Sequence, residues 1–119
     1  MFNTSLLISD AQKLGIELTD GQLSRFDLLS DLLVEQNKTM NLTAITDPDG
    51  IAVKHFADSI SVLCAADIPQ GARILDVGTG AGFPGIPLLI MRPDIDLTMI
   101  DSTAKKLKYV ENRSGRAHV

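Results

Sequence analysis

Residues 75–88 read Leu-Asp-Val-Gly-Thr-Gly-Ala-Gly-Phe-Pro-Gly-Ile-Pro-Leu, a glycine-rich turn set between two apolar runs. Few folds accommodate such a segment. The preceding run, Arg73-Ile74-Leu75-Asp76-Val77, is short and rich in apolar and β-branched residues, so it reads as a strand. Pro84 stands where a helix starts, because its fixed φ suits a first helical turn. That helix, from Gly85 to Arg92, stops at Pro93-Asp94. A second strand, Asp96-Leu97-Thr98-Met99-Ile100, runs into Asp101, and Ser102 or Thr103 caps a last helix from Ala104 to Arg113. Strand, glycine turn, helix, strand and acid make a βαβ unit of about 30 residues, whose two strands pair in parallel.

The turn is also where chemistry is expected. A ligand lying directly on the main chain at a strand end is obstructed by side chains, so Gly78, Gly80 and Gly82 are the residue type needed. Gly80-Ala81-Gly82-Phe83-Pro84-Gly85 satisfies the dinucleotide pattern G-x-G-x-x-G, which alone is weak evidence. Asp101, about 20 residues on, is placed to accept both hydroxyls of a ribose. Asp76, two residues before Gly78, argues against NAD, because a pyrophosphate beside an anion costs energy in a water-poor cleft. S-adenosyl-L-methionine has no phosphate and carries a positive sulfonium and ammonium, so it fits that corner. Thr79 and Ser102 complete the expected cofactor set of Asp76, Gly78, Thr79, Gly80, Gly82, Phe83, Asp101 and Ser102. Phe83 either shields the cofactor or packs behind the loop. Against all of this stands the bland alternative: glycine-rich turns occur in sheets that bind no nucleotide, and acids cap helices.

The chain before Gly71 is read as helical. Asn3, Thr4 and Ser5 precede a short amphipathic helix stopped by Gly15. Thr19 and Gln22 form a capping-box pattern that opens a longer helix, with Leu23, Phe26, Leu28, Leu29, Leu32 and Leu33 as one broad apolar stripe. Asn37 and Asn41 bracket its end. A loop follows with Asp47-Pro48-Asp49-Gly50 as a turn, then a helix carrying Ile51, His55, Phe56, Ile60 and Leu63, broken at Pro69. The organisation is a helical segment over 1–70, the first βαβ half of a larger sheet over 71–112, and an atypical tail over 113–119. The fold class is α/β: N-terminal helices followed by the first half of a Rossmann-like methyltransferase fold, its parallel sheet incomplete.

Composition narrows the function. Of 119 residues, 45% are apolar and 22% charged, as in ordinary globular proteins. No apolar run reaches the length of about 18 residues that spans a membrane, and MFNTSLLISDAQ lacks the basic opening of a signal peptide. The single cysteine, Cys64, offers neither an internal disulfide nor metal spacing, so no metal site is expected and the chain reads as cytosolic. A formal charge of −4 argues against a nucleic-acid binder. Yet Lys105, Lys106, Lys108, Arg113 and Arg116 crowd the last 15 residues, either as a solvated helix face or as a patch for RNA.

Asn41-Leu42-Thr43-Ala44-Ile45, then Lys54-His55-Phe56-Ala57-Asp58-Ser59, then LDVGTGAGFPGIPL, then Ile100-Asp101-Ser102 resemble, in order and spacing, the glucose-inhibited division protein B family of 16S ribosomal RNA methyltransferases. The resemblance runs to about Val110. It implies methyl transfer from S-adenosyl-L-methionine to N7 of a guanine in 16S rRNA, with the small ribosomal subunit as partner. It also makes Asn41 and His55 candidate substrate contacts. By their local pattern Asn41 is a helix-end cap, and His55 with Asp58, three residues on and on the same helix face, is either a catalytic pair or a local hydrogen bond that fixes the helix on the sheet; no catalytic residue is singled out.

The family's chains are about twice this length, so the resemblance implies a truncated chain, either an enzyme or an enzyme fragment. The competing reading is a non-catalytic α/β module that at most binds the cofactor; an NAD enzyme is a distant third. Two parallel strands alone leave sheet edges unpaired, and the expectation is a homo-oligomer. Light scattering at high dilution checks this, and a clean monomer overturns it.

Overall fold

A computed structural model describes residues 2–41, 43–77, 82–100 and the backbone of 117–118. Helix α1 (Thr4–Lys13) starts where the Asn3 side chain accepts the Leu6 N–H at 3.1 Å. Helix α2 (Asp20–Met40) opens with the expected capping box: Gln22 N–H donates to Thr19 Oγ1 at 3.1 Å and Thr19 N–H to Gln22 Oε1 at 2.9 Å. Such a cap contributes about 1 kcal/mol. The helix ends at Asn41, whose φ of 51° is the left-handed conformation that asparagine tolerates.

The stripe on α2 is narrower than its sequence suggests. Phe26, Leu29 and Leu33 are buried and Leu23 and Leu32 pack at the margin, but Leu28 is 60% exposed. The core occupies one side of this helix only, and Leu28 falls beyond its edge.

Residues 47–50 are not an isolated turn. Pro48 occupies the first position of a short helix, α3 (Pro48–Gly50), and the Asp47 carboxylate caps it by accepting the Gly50 N–H at 2.8 Å. The next seven residues, Ile51–Ala57, form a π-helix in place of the expected α-helix, with the Asp58 N–H reaching the Val53 carbonyl five residues back. Its buried residues repeat at five, Ile51 with Phe56 and Ala52 with Ala57, a wider spacing than α-helical reading allows. Single helical turns follow as α4 (Asp58–Ile60) and α5 (Val62–Ala65).

Strand β1 (Arg73–Val77) pairs in parallel with β2 (Asp96–Ile100), Arg73 opposite Asp96 and Val77 opposite Ile100. Helix α6 (Gly85–Met91) connects them, and the run from Gly85 to Leu89 is buried, as suits a helix enclosed on all sides. A third strand, β3 (Ala117–His118), pairs in parallel with Leu97 and Thr98, giving the order β1-β2-β3. The tail thus adds to the sheet, which the sequence did not signal: two residues carry no strand period of their own.

One continuous core joins the helices to the sheet. The four phenylalanines of the chain meet there. Phe56 lies 5.0 Å from Phe2, 4.8 Å from Phe26 and 6.1 Å from Phe83, ring centre to ring centre. Leu97 and Met99 face this core, whereas Leu75, Val77 and Ile100 on the opposite sheet face are 60%, 70% and 47% exposed. Among the described residues, no helix is long and apolar enough to cross a membrane and no cluster of metal-ligating side chains occurs.

The connection between α6 and β2 is tied down by charge. Arg92 donates to both Asp94 carboxylate oxygens at 2.8 Å and to the carbonyls of Ile68 and Pro69, while the Gly71 N–H donates to Asp94 Oδ2 at 2.8 Å. First the Arg92 guanidinium, then the Gly71 amide, hold the Asp94 carboxyl well below the usual carboxylate range. A depressed acid pKa stabilises the fold above the unfolded-state value of about 4, and that contribution is lost as pH falls towards the folded value. Asp94→Asn is therefore expected to melt below the wild type at pH 7. Melting curves taken at successively lower pH below about 4 should bring the two proteins together; a gap that stays constant down to pH 2 would refute the account.

Candidate functional site at the strand ends

The parallel register brings the carboxyl ends of β1 and β2 side by side at Val77 and Ile100. In open α/β sheets, ligands bind just beyond such ends. The residues that follow in sequence, Gly78, Thr79 and Gly80 on one side and Asp101 and Ser102 on the other, lie outside the described residues, as do the five basic residues of the C-terminal stretch. Asp76, Gly82 and Phe83 are described, and they show how the turn closes.

Asp76 is 9% exposed and its side chain points to the covered side of the sheet. Its Oδ2 accepts the Gly85 N–H at 3.0 Å, across the turn, where α6 begins. The carboxylate thereby satisfies an amide that a helix start leaves without a partner. Gly85 must be glycine for this approach: a Cβ there would sit 2.8 Å from Asp76 Oδ2 and 3.2 Å from Leu97 Cδ2. Gly82, buried, has a φ of 100°, which side-chain-bearing residues rarely adopt. Its carbonyl accepts the Ile86 N–H at 2.7 Å. The described part of the turn, Gly82–Gly85, is thus pinned from below by an acid.

Phe83 and His55 come together. Their rings are stacked at 4.5 Å between centres with 5° between planes, and Phe83 also faces Phe56. The Phe83 ring therefore packs on the π-helix side of the turn. His55 Nε2 lies 3.0 Å from Thr43 Oγ1, and Thr43 is itself held by its N–H on Asn37 Oδ1 at 2.8 Å. Burial pushes the imidazole below its usual value, and a hydrogen bond with the Ile45 backbone recovers part of the shift. Thr43 Oγ1 accepts the Ile45 N–H at 3.0 Å, so its own proton is available to Nε2.

His55 does not make the local pair expected with Asp58; its side chain meets that of Thr43, twelve residues earlier. The His55 carbonyl instead accepts the Ser59 hydroxyl. Asn41 is an exposed helix terminator whose N–H reaches the Asn37 carbonyl at 3.3 Å, and it lies at the head of the loop that carries Thr43. Sequence reasoning missed Thr43 and Gly85 as site residues. Thr43 had no signal beyond its place in the Asn-Leu-Thr phrase, and Gly85 appeared only as the last glycine of a weak pattern.

Residues 22–118 match the family described as rRNA small subunit methyltransferase G, GidB. The chain belongs to that family. It is 48% identical over 100 residues to the protein named ribosomal RNA small subunit methyltransferase G of Desulfitobacterium hafniense, an alignment covering 84% of this chain and 41% of that protein. Proteins of the same name from Desulforamulus reducens and Pelotomaculum thermopropionicum are 46% and 44% identical, covering 90% and 89% of this chain and 45% and 44% of theirs. The chain spans less than half the length of these relatives. The resemblance drawn from the motifs and the α/β, partial Rossmann-like architecture both stand.

Replacing Gly85 with alanine is expected to push the Asp76 carboxylate off the turn and to lower stability by about 1–3 kcal/mol, the usual cost of overpacking. Urea unfolding measures it, and a Gly85→Ala protein as stable as the wild type would show that the turn has slack.

Proposed function

We propose that this chain carries the methyl-donor site of an rRNA methyltransferase that takes S-adenosyl-L-methionine and modifies N7 of a guanine in 16S rRNA. The observation that carries the reading is the glycine turn pinned to Asp76 at the paired ends of two parallel strands. Gly78, Thr79, Gly80 and Gly82 would supply the bare backbone, with Asp101 on the ribose and Ser102 beside it. The relatives' names support the rRNA substrate, and the chain spans under half their length.

When bound, S-adenosyl-L-methionine supplies an electrophilic methyl group on a sulfonium. The residues of the chain have a limited task. Guanine N7 presents an unprotonated lone pair, so no side chain need act as a general base; the site must align the acceptor and exclude water. Asp76 places negative charge beneath the turn, which suits a cationic ligand and disfavours a pyrophosphate. Phe83, packed on His55, walls the turn on the π-helix side. Asn41 stands at the loop on that same side, as a candidate acceptor contact.

Association is part of this proposal: the exposed Leu75, Val77 and Ile100 give the sheet an apolar face, which favours contact with another chain.

Calorimetric titration with S-adenosylhomocysteine, with NAD as control, tests the donor site. Binding of the first alone is expected, weakened by roughly tenfold or more in Asp101→Ala through loss of charge-assisted hydrogen bonds. Binding of NAD, or of neither molecule, removes the reading for this chain.

A further inference from the structure

The contacts of His55 tie the loop after α2 to the glycine turn, although the two are far apart in sequence. On one side the imidazole meets the Thr43 hydroxyl at 3.0 Å, and Thr43 is anchored through Asn37 and Ile45. On the other side the ring lies flat on Phe83 at 4.5 Å. Phe83 leads directly into Pro84 and Gly85, whose N–H is the one bound by Asp76, and it follows Gly82, whose carbonyl holds the Ile86 N–H. A flat aromatic contact restricts the tilt of both rings. The hydroxyl at Nε2 restricts rotation of the imidazole about its own axis, so the Phe83 ring has one favoured seat.

We propose that His55 is a positioning residue for the methyl-donor site: oriented by Thr43, it seats Phe83 and thereby sets the turn Gly82–Gly85 against Asp76. The loop carrying Asn41 and Thr43 and the donor turn then move as one body, and the acceptor side of the site is coupled to the donor side. This rests on the donor-site reading above. His55 acts through Phe83 and touches no reacting atom.

Hydrogen exchange and S-adenosylhomocysteine titration of the intact chain, compared among wild type, His55→Ala, His55→Phe and Thr43→Val, test it. In His55→Ala the Gly85 and Ile86 amides are expected to exchange roughly two- to tenfold faster, the range of an aromatic contact. The Leu33 amide in α2, measured in the same sample, should be unchanged. S-adenosylhomocysteine affinity should fall by a similar factor. His55→Phe, which keeps a flat ring, should recover most of both effects. Thr43→Val should shift both in the same direction in the wild-type background and add nothing in the His55→Phe background, because a ring without nitrogens has no partner for the hydroxyl.

Exchange at Gly85 and Ile86 that stays at the wild-type rate, or that rises only in step with Leu33, overturns the proposal. Additive effects of Thr43→Val and His55→Phe also overturn it, and that cycle decides the matter if His55→Ala fails to fold. A wild type that binds no S-adenosylhomocysteine removes the donor-site reading instead, while the local exchange rates still decide whether His55 seats the turn.

Discussion

Phe56 is the residue through which the two sequence halves become one structure. It is fully buried and contacts an aromatic ring from the N-terminus, another from α2 and a third from the glycine turn. Burying a phenylalanine contributes about 1.5–3 kcal/mol, and ring pairs add to that. The geometric consequence is larger than the energy of any one pair. With three rings converging on one, neither α2 nor the turn can shift without opening a void, and close-packed interiors resist voids. The helical segment is therefore the floor on which the glycine turn stands.

A polar layer lies on this apolar floor. Asp76, the Gly85 amide, the His55 imidazole and the Thr43 hydroxyl each satisfy a partner at the boundary between core and strand ends. Buried polar groups left unmatched cost about 1–3 kcal/mol each, so the layer tolerates few alternative arrangements. Specific geometry at the turn follows from that intolerance more than from rigidity of the glycines, which have none of their own.

The sequence made some of this legible and concealed the rest. Both long strands were readable to the residue, because apolar β-branched runs ended at glycine, proline and acid. The capping box of α2 and the helix start at Pro84 were equally clear, since caps act through neighbours in sequence. Three features were not. Leu28 looked like core because periodicity reports a face and not how far the core extends under it. The π-helix was hidden because Ile51, Phe56 and Ile60 also satisfy α-helical spacing within a residue; only the five-residue repeat of buried pairs separates the two. The partner of His55 lay across a loop, and a contact made by tertiary packing leaves no local trace.

The π-helix also ties the site to a residue count. An α-helix advances about 100° per residue, and a π turn accommodates one residue more than an α turn in closing its hydrogen bonds. Deleting a single residue between Ile51 and Ala57 would allow ordinary α-helical closure, yet it would rotate everything on one side of the deletion by about that angle against the other. Ile51 and Ala52 could not then face the core while Phe56 and His55 kept their contacts with Phe83. Substitution within this segment changes a side chain; a change in its length disconnects the floor from the turn. Its length is thus part of the specification of the site, independently of which amino acids fill it.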